Sequence, residues 1–428
     1  MKIEEIYIKV LKEVYLCDHC LGRLFGQLLS GLDNEERGKI IRYYLAFLID
    51  SGEKIDINLA NFYGINFRNV KIEIPQPPKC FICENFFDEK IDELVKHVIE
   101  KLSKFEFESF LIGSIIPRRI LSVEEKVWEK VNLEWVEPIK AEVNRELGKL
   151  VEKFTKKRFE LKNPDITILV DLENDRISLQ VRSLYIFGKY KKLVRGIPQT
   201  KWLCSKCRGK GCIACKGTGK LYATSVQEEI EKPLLKATGA KKSSLHSSGR
   251  EDIDARCLDW RTFIIELVKP MKRKIDLKKL QREINKSKKV KVSAMKIIKE
   301  GKFFIRKLKT EKLDKSYLAE VKFEKSIEKK KLKELKKLTL EPIVQKTPLR
   351  VLHRRADKFR KRLIKKISWK LLGRKNLQLK IRAESGLYIK ELITGDEGRT
   401  KPNVAEILEN KVKKIILDVV KIHGRIKI

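Results

Sequence analysis

Residues 247–256 form a polar loop, Ser247-Ser248-Gly249-Arg250-Glu251-Asp252-Ile253-Asp254-Ala255-Arg256, that places carboxylates between two arginines and then runs into apolar sequence. Guanidinium groups nearby lower a carboxylate's pKa, and a carboxylate held ionised can act as nucleophile or base at neutral pH. Asp252 is the candidate for that group. From these residues alone Asp254 and Glu251 serve as well, and the commoner meaning of such a loop is a solvated ion-pair cluster.

Cysteine supplies the second chemistry. Cys17-Asp18-His19-Cys20 and Cys80-Phe81-Ile82-Cys83 each offer two thiolates from one turn, and together they could close on a tetrahedral zinc ion. Four thiolates leave no open coordination position, so the role expected is structural. Cys204-Ser205-Lys206-Cys207-Arg208-Gly209-Lys210-Gly211 and Cys212-Ile213-Ala214-Cys215-Lys216-Gly217-Thr218-Gly219 are two copies of one short repeat. Each copy resembles the CxxCxGxG knuckle of DnaJ-type zinc modules, in which glycines let the backbone turn tightly around sulfur. Two copies are fewer than such modules carry, which argues against a chaperone. Zinc is expected here as well, and Cys257, beside Leu258, reads as a core thiol.

Elements must position these groups, and composition bounds them. A chain of 428 residues with 42% hydrophobic content is long enough for two or three domains. Its net charge of +39 exceeds what solubility needs and points to a polyanionic partner, nucleic acid. No apolar run long enough to span a membrane and no signal-peptide pattern is apparent, so a cytoplasmic protein is expected.

Helical periodicity over 3–15 (Ile3, Ile6, Val10, Val14) ends at the first CxxC. Asp33 and Glu36 have capping-box spacing for a helix over about 34–50, and a further helix is expected over 88–104. A strand follows at Phe105–Phe110, then helix over 121–160 broken at Pro138, then strands at Ile166–Leu172 and Arg176–Val181. The basic Lys189-Tyr190-Lys191-Lys192 and Arg195-Gly196 would edge this α/β module as an RNA platform. A helix from Ser225 to Ala240 places a domain boundary near 220. Beyond it strands are expected at Phe303–Ile305, Ser316–Val321, Leu377–Ile381 and Ile415–Val420, with a helix starting near Asn403. The basic runs Lys329–Lys331, Arg354-Arg355 and Arg360–Arg362 suit phosphate contacts.

Three segments of this half carry a resemblance. Gly249-Arg250-Glu251-Asp252 resembles the Gly-Arg-x-Asp loop of pseudouridine synthases, and Lys315-Ser316-Tyr317-Leu318-Ala319 is similar to their Lys-x-Tyr-x-Ala strand. Gly386-Leu387-Tyr388-Ile389-Lys390 resembles their Gly-x-Tyr-Ile-Arg/Lys strand, and Leu417-Asp418-Val419-Val420 their closing strand. With the N-terminal CxxC pairs and Gly395–Pro402, nearly the whole chain resembles the archaeal and eukaryotic tRNA pseudouridine synthases that act at positions 54 and 55 of the T arm.

The resemblance implies an α/β (α+β) protein. It would comprise a zinc-bearing accessory region (1–100), a THUMP-like RNA-binding module with the second cysteine cluster (101–220) and a catalytic domain with a mixed, mainly antiparallel sheet (221–428). It makes Asp252 catalytic, gives Tyr317 the flipped base, pairs Lys390 with Asp252, and lets Ile389 and Leu417 wall the pocket. Arg250 and Tyr388 would join them in binding substrate. Structural zinc, no organic cofactor, a tRNA partner and a monomer are expected. Other readings are a THUMP-type tRNA-binding protein without catalysis, or a methyltransferase or thiolation enzyme; the last two need a Gly-rich cofactor loop, and the Gly-rich stretch here lies inside the second cysteine cluster.

Overall fold

A computed structural model describes residues 3–130, 134–353 and 355–424, so Arg354 of the expected Arg354-Arg355 run lies outside the described residues. The chain divides into two compact units between Arg182 and Ser183.

In the first unit, α1 (Ile3–Leu11) buries Ile6 and Val10 with Tyr7 and Leu11. Helix α2 (Asp18–Gly22) packs on α3 (Asn34–Asp50). Asp33 caps α3 in the expected reciprocal box: its Oδ1 accepts from the Glu36 N–H, and Glu36 Oε2 accepts from the Asp33 N–H, both at 3.0 Å. Then come α4 (Ile91–Leu102), β1 (Ser109–Ile115), α5 (Arg118–Glu129) and α6 (Ile139–Thr155). Helix α5 stops at Glu129, ahead of the break expected at Pro138, and Pro138 sits as the N-cap of α6, where a missing N–H costs nothing.

Strands β2 (Arg158–Phe159), β3 (Ile166–Asp171) and β4 (Arg176–Val181) complete a sheet of order β2-β1-β3-β4, parallel except for β3 with β4. The strand expected over 105–110 begins only at Ser109. One core joins α1–α6 to the sheet and includes Cys17, Cys20, Cys80 and Cys83.

The second unit opens with β5 (Leu184–Lys192), followed by α7 (Val226–Thr238), β6 (Lys242–Ser247), β7 (Arg256–Val268), α8 (Leu277–Ile284), β8 (Val290–Ile298), α9 (Gly301–Thr310) and β9 (Lys315–Phe323). After these come β10 (Ile343–Gln345), β11 (Arg360–Arg362), β12 (Ile364–Gly373), β13 (Asn376–Ala383), β14 (Thr400–Lys401) and β15 (Val412–Ile422). The large sheet runs β12-β13-β9-β15-β7-β5-β8 with β6 beside β7, and every pairing is antiparallel except β15 with β7. That parallel contact is two residues long, Asp418 opposite Arg256 and Val419 opposite Cys257, and it joins the two halves of the sheet.

Three sequence expectations change here. Strand β5 pairs with β7 and β8, so the second unit starts at Ser183, not near 220, and residues 189–192 lie inside its sheet. Tyr190 and Lys192, two apart and therefore on one face, are fully buried, so the run is no solvated basic edge. Phe303–Ile305 is helical: Ile305 and Leu308 of α9 pack on Tyr185, Phe187 and Ile264, a spacing of three that a short apolar run conceals.

Candidate active site

The loop between β6 and β7 delivers Asp252 to the place where the sheet halves meet. A cleft of about 310 Å³ opens there, lined by Arg250, Asp252, Tyr317, Tyr388, Ile389 and Leu417 among others. All the substrate-binding residues expected from sequence line it except Lys390, whose ammonium approaches from beside Ile389, 3.7 Å from Asp252 Oδ2. Tyr317 comes from β9, with its hydroxyl pushed up to about 12 by burial. Ile389 and Leu417 are almost fully buried.

The loop's three carboxylates have separate fates. Glu251 is fully buried against the equally buried Arg261, at 3.1 Å, and accepts a hydrogen bond from the Tyr190 hydroxyl at 3.1 Å. Asp254 is the most exposed and takes Lys390 at 2.6 Å; burial works against its charge, but that ammonium holds its carboxyl below the usual carboxylate range. Asp252 keeps a side chain 31% exposed in the cleft.

The two arginines that flank Asp252 in sequence are engaged elsewhere, whereas the expected Lys390 is within ion-pair reach of it. Arg256 binds Asp418 at 2.7 Å, and the Arg250 guanidinium lies over the Trp202 ring, 5.4 Å from its centroid. The nearer partner is Arg350, whose Nη1 donates to Asp252 Oδ1 at 3.1 Å while its Nε donates to the buried Glu391 at 2.6 Å. Lys390 binds Asp254 first and Asp252 second.

The Gly386–Lys390 segment is also not a strand. Gly386 has φ +94°, and Gln345 brackets the Tyr388 backbone, its Oε1 accepting from Tyr388 N–H and its Nε2 donating to Tyr388 O, both at 2.9 Å. A helix, Ile389–Thr394, starts directly afterwards. The Tyr388 hydroxyl accepts from Arg355 Nη1 at 2.9 Å, and Arg360 lies over its ring.

The loop's backbone is fixed from β5 and from the segment immediately after that strand. Lys192 Nζ donates to Asp252 O at 3.0 Å and Ile253 O at 2.9 Å, Arg195 Nη1 to Asp254 O at 2.9 Å, and Gln199 Nε2 to Gly249 O at 3.0 Å. Seven cationic side chains line the cleft, including Lys315, Arg355, Arg360 and Arg362, against two carboxylates. Lys315 is buried, and burial together with Arg261 lowers its ammonium to about 8. Sequence reasoning found Arg360 and Arg362 only as a basic run and did not find Arg350, which lies 98 residues from Asp252 in a short helix without a motif.

Both cysteine sets are brought together: in each, the four Sγ atoms lie within 4.8 Å of one another. In the first, Cys17 and Cys83 Sγ are 3.5 Å apart and the Cys17 N–H donates to Cys80 Sγ at 3.3 Å. In the second, N–H groups of Gly211 and Gly219 donate to Cys207 and Cys215 Sγ, each at 3.2 Å. Four clustered sulfurs, some accepting backbone hydrogen bonds, suit a soft tetrahedral metal ion, and either set could hold one. Cys257 is a buried core thiol.

Comparison with known proteins gives the context. Residues 185–423 match the family described as "Pus10, C-terminal", and residues 94–171 match "Pus10 THUMP domain, archaeal". A relative from Methanopyrus kandleri named "tRNA pseudouridine synthase Pus10" is 40% identical over 96% of this chain and 96% of that one. Relatives of the same name from Methanocaldococcus jannaschii (40% identical; 98% and 95% covered) and Methanothrix thermoacetophila (35%; 97% and 94%) agree. The two family matches fall one in each unit, and the relatives align over nearly the whole chain, so the chain belongs to the Pus10 family of pseudouridine synthases.

Proposed function

We propose that the protein isomerises uridine to pseudouridine at positions 54 and 55 in the T arm of tRNA, with Asp252 as the reacting carboxylate. The observation that carries this reading is an Asp252 carboxylate inside a cationic cleft, tethered to Arg350 and approached by Lys390, with Tyr317 in the same lining. The reaction breaks the N-glycosidic bond, turns the base and rejoins it through carbon. It consumes no reductant and no nucleotide.

A uridine must leave the RNA stack to reach such a cleft, and Tyr317 offers an aromatic face to hold it. Asp252 attacks the sugar or the ring, or removes a sugar proton. Ile389 and Leu417 keep water from a detached sugar, and Arg250, Tyr388 and the arginines beside it hold the flanking phosphates. Structural zinc in the two cysteine sets would fix the turns that carry them and take no part in the reaction. The protein acts as a monomer.

Methyl transfer or thiolation would call for a Gly-rich cofactor loop, and the glycines at 209–219 are instead folded around the second cysteine set. Among the described residues no helix is long and apolar enough to cross a membrane.

The test is incubation of an unmodified tRNA transcript with purified protein, without added cofactor, and mapping of the uridines converted. Conversion at 54 and 55 is expected. Asp252→Ala should abolish it with tRNA affinity within about twofold of wild type. Full activity of that variant would sink the assignment of Asp252, and conversion confined to another arm would sink the T-arm reading.

A further inference from the structure

The second cysteine set sits on a lobe, residues 201–221, to which the proposed reaction gives no role. Its charge is one-sided: from 176 to 227 the chain has no Asp or Glu, while residues 201–220 hold Lys201, Lys206, Arg208, Lys210, Lys216 and Lys220. Lys220 is engaged by Glu228 at 2.7 Å. The other five are exposed, and among the described residues none of them forms an ion pair. Basic runs elsewhere are partly neutralised, as where Lys331 meets Glu409 at 2.7 Å.

The lobe is also anchored to the cleft. The segment entering it bonds to the Asp252 loop through Gln199, and Trp202 lies beneath Arg250, which lines the cleft. The segment leaving it is tied back, with Val226 N–H donating to Pro198 O at 3.0 Å and Gln227 N–H to Gln199 O at 2.9 Å. Finally, the lobe presents apolar side chains outward: Ile213 is 98% exposed on the turn between two cysteines, with Leu203 and Leu221 about half exposed.

We propose that this knuckle is an RNA-gripping element beside the cleft. Lys206, Arg208, Lys210 and Lys216 take backbone phosphates flanking the target uridine, and Ile213 packs against an unstacked base or ribose. The charge complementarity and the continuity with the cleft through Trp202 and Arg250 select RNA as the occupant. The inference rests on the tRNA reading, and it assigns to the knuckle binding and not chemistry.

The test uses the full chain carrying Lys206→Glu, Arg208→Glu and Lys210→Glu together, with Ile213→Ser made separately. All four positions are exposed, so circular dichroism and metal content should match wild type. The triple variant should bind tRNA at least about tenfold more weakly, with a log-log salt dependence shallower by about 2. Its KM should rise by a similar factor, with kcat at saturating tRNA within about twofold of wild type. Ile213→Ser should raise KM several-fold.

A triple variant whose affinity, salt slope and KM all match wild type would overturn the proposal. So would a loss confined to kcat, which would place the lobe's effect in the cleft and not in RNA gripping. If wild type makes no pseudouridine yet the triple variant loses tRNA affinity, the functional reading falls and the gripping element stands. If wild type is active and the triple variant indistinguishable from it, the reverse holds.

Discussion

Arg350 presents one guanidinium to two carboxylates, the buried Glu391 at 2.6 Å and Asp252 at 3.1 Å, whereas Lys390 spends its shorter contact, 2.6 Å, on Asp254. The rigid fork of arginine can hold a rotamer that an ammonium cannot. Arg350→Gln is therefore expected to lower kcat by about 10²-fold and Lys390→Gln by about 10-fold, because misplacing a reacting group costs rate steeply. Single-turnover kinetics of both variants would check the order, and a larger loss at Lys390 would reverse the assignment. Lys390 was legible in the sequence through its motif. Arg350 was not, because its meaning comes from a contact across 98 residues. Lys315 gives a second residue-scale prediction. Its folded pKa of about 8 lies below the ordinary value of 10.5, so between these limits the unfolded chain binds the extra proton and stability rises with pH. Wild type minus Lys315→Met, followed by denaturant midpoint, should show a gain on the order of 2 kcal/mol between pH 8 and 10 that the variant lacks. A flat difference would mean that Lys315 stays charged.

At the scale of elements, β5 is the part whose role the sequence misassigned. A lysine run announces charge but not which side faces water; strand alternation does that once the pairing is known, and here it turns Tyr190 and Lys192 inward. The buried ammonium of Lys192 then holds two carbonyls of the Asp252 loop, a support that no local pattern could reveal. Lys192→Met would leave both carbonyls unpaired. A stability loss of about 2 kcal/mol is expected, together with a fall in kcat, as the loop loosens. Wild-type kcat in a folded variant would show that the loop holds itself. Where local chemistry alone decides, the sequence was read correctly: the Asp33 and Glu36 cap, and the strands β9, β13 and β15, of which β13 and the second half of β9 bury alternate residues. The helix α9 and the turn at Gly386 depended on Tyr185 and Gln345, partners distant in the chain, and were read as strand.

For the whole molecule, the proposed function puts the chemistry in the second unit and leaves the first cysteine set to stability. All four sulfurs of the first cysteine set belong to the core of the first unit, while the residues lining the cleft fall between Gly249 and Val419. Close packing supports the same set: Gly22 and Gly38 lie where α2 crosses α3, and a Cβ on either would run into backbone of the other helix's end. Losing a metal held at Cys17, Cys20, Cys80 and Cys83 should then destabilise the first unit and leave the cleft formed. Cys80→Ser is expected to lower metal content by one equivalent and to cost the first unit about 3 kcal/mol or more, since a structural site contributes folding energy outright. Calorimetry should resolve that loss as an earlier transition, with the second unit's transition unmoved. Kinetically the THUMP-bearing unit serves binding in this reading, so KM for tRNA should rise while kcat at saturation stays within about threefold. A fall in kcat at saturating tRNA, with the second transition intact, would show that the first unit takes part in the chemistry and not only in holding the substrate.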